Sequence, residues 1–178
     1  KEDIKSTLTG TPKQRGVESV RSNAEEYKKV LAESKVKKLS RSNIRVTSLF
    51  PKVSKMISDT YDKTFNDPQR KEVKESYQAM MKETIDQYNF IVSKGLKVVR
   101  HEGKGEPYKN SAEMLSDLRD NNTLKFLPND VAFGQDTDEV SDNIGLEYSG
   151  IDLEDGYKMT NSEVFRVVHD YFGHGILG

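Results

Sequence analysis

The chain of 178 residues suits one domain, or a small domain with an appended arm, and its 34% hydrophobic against 32% charged content supports a modest core. It contains no cysteine, which excludes disulfides, thiolate catalysis and thiolate metal ligation and fits a reducing compartment. No apolar run approaches the ~20 residues of a membrane span, and the opening KEDIKSTLTG does not read as a signal peptide.

The formal net charge of -1 hides an asymmetry. Residues 1–50 carry twelve Lys/Arg against six Asp/Glu, a net of +6, whereas residues 101–160 carry five against fourteen, a net of -9. The basic segment is a candidate for weak nucleic-acid contact, although its interleaved acids equally describe a solvated helix.

Residues 1–16 lack periodicity and are read as a flexible arm. Residues 17–45 are read as a basic amphipathic helix and linker. Its thin stripe of Val17, Val20, Ala24, Tyr27 and Leu31 predicts a helix running to about Leu39. Residues 46–178 are expected to form the main globular domain. Pro51 opens its first helix, with Val53, Met56, Ile57, Thr60 and Tyr61 at helical spacing. Asp67 and Pro68 then have the pattern of a cap and first turn. From Val73 and Tyr77 through Met80, Met81, Thr84, Ile85 and Tyr88 to Ile91 and Val92, an apolar face predicts a helix over 68–94, stopped by Gly95. Tyr77 and Tyr88 are assigned to its packed face.

The run LKVVRHEG reads as a strand, Ser111 as the cap of a short helix, and TLKFLP as a second strand. Strand, helix, strand permits a parallel pair, with an antiparallel pairing also open. Residues 128–159 are rich in Asp, Gly and Asn and are expected to form a long loop. Within them DTDEVSDN has calcium-loop composition without the Asp-x-Asp-x-Asp-Gly order, and upstream GKGEPY reads as a turn. Thr160 and Glu163 have capping-box spacing, so a last helix begins there. Its apolar residues surround nearly the whole circumference, which predicts burial and sends His169 and Asp170 into an interior or the lining of a cavity. The fold class expected is helix-rich α+β: a long central helix, a small two-stranded β element and a buried C-terminal helix.

The chemistry is concentrated in that last helix. His169 and His174 are separated by four residues, so an unbroken α-helix, at about 100° per residue, leaves the imidazoles some 140° apart. Gly173 between them can adopt a left-handed conformation, end the helix and let His174 swing back toward His169. Neutral imidazoles suit Fe, Zn, Ni or Cu, and two of them with one carboxylate make the facial triad of Fe(II) sites. Asp170 is expected to orient an imidazole from outside the ligand set or to cap another group, while Glu83 or Asp86 on the long helix, or a residue beyond Gly178, is a candidate third ligand. The alternative is that both imidazoles are satisfied by backbone carbonyls at the end of a packed helix. His101, at a strand end, is read as an exposed or satisfied histidine, and no serine motif supports a hydrolytic role for His169.

The hexapeptide His169-Asp170-Tyr171-Phe172-Gly173-His174 resembles the iron motif of pterin-dependent aromatic amino acid hydroxylases. That resemblance implies that both histidines bind Fe(II) and that a downstream Glu completes the triad. The preceding Pro-Asp and following Val-Pro of that family are replaced by RVVHD and GHGILG, and no equivalent Glu precedes Gly178.

Three blocks are together similar to an uncharacterised domain of large tailed-bacteriophage proteins: NDPQRKEVKESYQAMMKETIDQYNFIVSKGLKVV, EPYKNSAEMLSDLRDNNTLKFLPND and FRVVHDYFGH. They span roughly residues 67–174. This likeness implies a virion-associated or injected protein, found in the virion or host cytoplasm, with a structural or interaction role. Its partners would be other virion proteins or copies of itself. In such relatives a Glu- and His-containing stretch follows the second histidine. Together with the missing initiator Met, this leads us to expect a piece of a longer polypeptide. The competing expectation is a metal-dependent enzyme domain, oxygenase- or hydrolase-like, using His169 and His174 as ligands with Fe(II) or Zn.

Overall fold

The computed structural model describes residues 16–33, 51–65, 67, 69–133 and 143–177. The expected arm, apart from Gly16, lies outside them, as do the linker after Glu33 and most of DTDEVSDN. The architecture is helix-rich α+β with two separate two-stranded sheets among the described residues.

Helix α1 spans Glu18–Glu33 and buries Val20, Ala24 and Tyr27, the stripe its spacing predicts. Helix α2, Pro51–Lys63, forms at its proline but leaves its apolar face in water: Met56 is 61% and Tyr61 80% exposed. The long helix α3 covers Lys71–Ser93, starting later than Asp67 and Pro68 suggest. Arg70 N donates to Asp67 O, so a turn precedes the helix, which is entered at Arg70 without a side-chain cap. Only its second half is a spine. Met81, Thr84, Tyr88 and Ile91 are buried, whereas Tyr77 and Met80 are exposed, so the expected packing of Tyr77 is corrected. Gly95 follows with φ +86, the left-handed conformation that ends the helix.

Strand β1, Lys97–Arg100, pairs in parallel with β2, Thr123–Phe126, and helix α4, Ser111–Asn121, makes the crossover. The α4 cap is Asn110, whose side chain accepts from Glu113 N, rather than Ser111. Asn122 closes the helix in the left-handed region. Tyr108 seals the outer edge of β2, accepting from Lys125 N at 2.8 Å and donating to Asp117 at 3.0 Å.

The expected loop over 128–159 is in large part ordered structure. Helix α5, Asn129–Phe133, is followed by a 3-10 turn, Ile144–Leu146, and an antiparallel hairpin of β3, Tyr148–Asp152, and β4, Lys158–Thr160. Short strands with a register shift between Tyr148 and Ile151, and a tight turn at Gly156 (φ +83), disguise the alternation that marks a strand.

Helix α6, Asn161–His169, then runs through the centre. Its Val164, Val167 and Val168 share one apolar cluster with Val17 just before α1, Val20 of α1, Tyr88 and Ile91 of α3, and Leu124 and Phe126 of β2. Val164 and Val167 are fully excluded from water. Glu163, also fully buried, anchors the start of α6: it accepts from Thr160 N, Asn129 N and Tyr157 OH, each at 2.8 Å.

Candidate metal centre

Beyond His169 the backbone widens into a π turn, Asp170–His174, in which Gly175 N donates to Asp170 O, five residues back. A short helical turn α7, Gly175–Leu177, follows. The π turn replaces the chain reversal expected at Gly173. Gly173 has no left-handed φ, and the turn is entered and left with right-handed helical dihedrals at His169 and Gly175. In a π turn residues five apart sit over one another as residues four apart do in an α-helix. The spacing of the two histidines, awkward for an α-helix, is therefore aligned by the turn itself. Their ring centroids lie 5.2 Å apart, edge to face.

His169 is enclosed by its neighbours on two sides. The Phe165 ring stacks against it at 6.3 Å and 24°. On another side a Cβ built on Gly173 would lie 3.7 Å from both Cδ2 and Nε2 of His169, so the glycine leaves a shallow bed for the imidazole. His169 Nδ1 and Asp170 Oδ1 are 3.0 Å apart, which gives Asp170 the contact needed to orient the ring.

The burial expected of His169 is corrected. Phe165 and His169, four residues apart, form the solvent edge of α6, and the His169 side chain is 54% exposed. The reason is that α6 buries its Val164, Val167 and Val168 side in the core, while the edge that carries Phe165 faces outward.

One ligand atom from each of His169, Asp170 and His174 can be chosen so that all lie within 4.8 Å of one another. Ligand atoms about 2.1 Å from a common ion are separated by no more than about 4.2 Å, so the three atoms lie close to coordination distance. Two imidazoles and a carboxylate suit a divalent transition metal, and these three residues could hold one.

Glu83 and Asp86 do not belong to this group of three. Glu83 Oε1 accepts from Tyr27 OH at 2.9 Å and from Gln87 at 3.0 Å, binding α3 to α1. Asp86 borders a hollow of about 330 Å³ beside Met81, Lys82 and Tyr148. His101 borders a second hollow, of about 900 Å³, running beside β1 toward Asp155. Neither hollow is lined by His169, Asp170 or His174.

The sequence missed two contributors. Phe165 lies four residues before His169, the spacing at which helical side chains meet. The i to i+5 spacing of the histidines was itself the signal for a π turn.

No helix among the described residues is long and apolar enough to cross a membrane. Comparison with known proteins finds no family model, no curated protein and no solved structure that matches this chain.

Proposed function

We propose that this domain binds one divalent transition-metal ion, Zn or Fe(II), through His169, His174 and Asp170. We propose further that it serves as an interaction module of a bacteriophage virion-associated or injected protein, in the virion or the host cytoplasm. The observation that carries the metal site is the convergence of the three ligand atoms within 4.8 Å on one π turn. The interaction role is supported by the apolar surface that α2 leaves in water, Met56, Ile57 and Tyr61 being 61%, 63% and 80% exposed. That surface suits other virion proteins or a second copy of the chain. The phage setting rests on the sequence likeness alone. A weak contact with nucleic acid through the basic segment belongs to the same proposal and is recognised by binding that falls steeply with salt.

A second reading, a metal-dependent enzyme, is favoured by one feature. The 54% exposure of His169 leaves a bound ion open to solvent, as catalytic sites require.

Metal analysis of the purified protein tests the site. One ion per chain is expected, lost in both His169→Ala and His174→Ala. Zinc at about a hundred times its Kd should add about 2.7 kcal/mol of stability to the wild type alone. A protein that stays metal-free, with a melting point indifferent to zinc and iron, sinks the proposal. Oxygen uptake by the Fe(II)-loaded chain, or ester hydrolysis by the Zn-loaded chain, would shift the reading to an enzyme if His169→Ala removed it.

A further inference from the structure

The π turn is contacted at several points by helix α1. Val17 N, at the start of α1, donates to Gly175 O at 2.7 Å. Arg21 donates through Nε and Nη2 to the Ile176 carbonyl at 3.3 and 3.2 Å. Asn23 Nδ2 donates to Tyr171 OH at 2.7 Å, and the Tyr27 ring lies 6.2 Å from that of Phe172. The contacts therefore bracket the turn, touching Tyr171 and Phe172 within it and Gly175 and Ile176 just beyond.

The approach is close. A Cβ on Gly175 would come 2.9 Å from Val20 Cγ1, and one on Gly16 would come 2.4 Å from the Ile176 carbonyl oxygen. Gly16 also has φ +95, so a side chain there is strained as well as crowded.

A π turn is a rare insertion in a helix. If it relaxed to α-helix, His169 and His174 would stand some 140° apart, by the rotation of about 100° per residue. Their register thus draws on α1, a surface helix that buries a single stripe, Val20, Ala24 and Tyr27, and gives most of its other positions to solvent.

We infer, resting on the metal site proposed above, that α1 is a releasable clamp regulating that site. Docked, it keeps the two imidazoles in register for one ion. Released, it frees the turn to relax, and metal affinity falls. Linkage makes the effect reciprocal: metal binding tightens the docking of α1 by the same factor.

Two variants of the full chain test the clamp. Val20→Asp undocks α1 by placing a charge against the core, and Gly16→Ala displaces its start without doing so. Circular dichroism establishes that each remains folded. Zinc affinity by calorimetry should fall at least tenfold in both, while Val53→Asp on the exposed α2 leaves it unchanged. In the metal-free protein the nuclear Overhauser contact between the His169 and His174 rings should weaken in both variants. In the wild type, zinc should slow amide exchange across α1. Wild-type zinc affinity in both variants, or α1 exchange indifferent to zinc, overturns the clamp while leaving the metal site intact. Absence of zinc binding by the wild type overturns both.

Discussion

The amide of Gly175 donates to the carbonyl of Asp170, five residues back, and that single wide turn stacks His174 beside His169. It also redefines Gly173, which is valuable for the flat bed it gives the imidazole rather than for conformational freedom. A methyl there would sit at ordinary contact distance, 3.7 Å from Cδ2 and Nε2 of His169. Gly173→Ala is therefore expected to keep zinc binding and to be neutral or stabilising, by up to about 1 kcal/mol from helix propensity. Gly173→Leu should displace the ring and lose the metal. Urea midpoints and zinc calorimetry check both; a loss above about 1 kcal/mol in the alanine variant would restore a left-handed glycine.

Glu163 organises the start of the same helix from a fully buried position. Its two oxygens accept three hydrogen bonds at 2.8 Å, two from backbone amides and one from Tyr157. A Gln there turns an amide group toward at least one donor and leaves it unpaired. Glu163→Gln should cost about 2 kcal/mol or more and lower the melting point by roughly 4–8 °C. An unchanged melting point would show that the helix start does not depend on this carboxylate.

Burial pushes the Tyr88 hydroxyl up to about 12. The ordinary value near 10 governs the unfolded chain, so keeping Tyr88 neutral favours the fold fully below about pH 10. This contribution is lost as pH rises through about 12. Tyr88→Phe should accordingly flatten the decline of the urea midpoint between pH 10 and 12 and leave it unaltered at pH 8. An identical alkaline slope in both proteins would place Tyr88 in water.

Tyr108 does for β2 what a neighbouring strand would do, taking the Lys125 amide with its hydroxyl oxygen. Desolvation chiefly, with the hydrogen bond to Asp117, holds its hydroxyl well above the usual tyrosine range. Tyr108→Phe should strand that amide at a cost of about 1–3 kcal/mol. Hydrogen exchange at Lys125 should accelerate well ahead of that at Leu124. Equal acceleration at the two amides would mean global loosening instead of an opened edge.

Helices were read well where one side is apolar and the ends are marked. Gly95 stops α3 as its position predicts, and Thr160 with Glu163 marks the start of α6. The β3–β4 hairpin was illegible because its strands are short and carry a register shift between Tyr148 and Ile151. Burial misled twice. Tyr77 continues the apolar stripe of α3 but lies beyond the packed half, and Phe165 adds an apolar residue to a helix edge that faces water. The two histidines do come together with Asp170, but by a turn that their spacing in an α-helix does not describe. Residue-by-residue rotation assumes one helix type, whereas the π turn depends on contacts from α1, more than a hundred residues away.

The hydrogen bond between Val17 and Gly175 places two distant parts of the chain side by side. Backbone arriving at Gly16 and backbone leaving through Leu177 therefore share one doorway. Traction applied there would not be shared across the fold, as it is when the pulled points lie at opposite poles. It would act like fingers on a zipper, parting the Val17 and Arg21 bonds one after another. The first pieces to come undone would be the turn carrying His169 and His174 and the packing of Val17 and Val20 beside it.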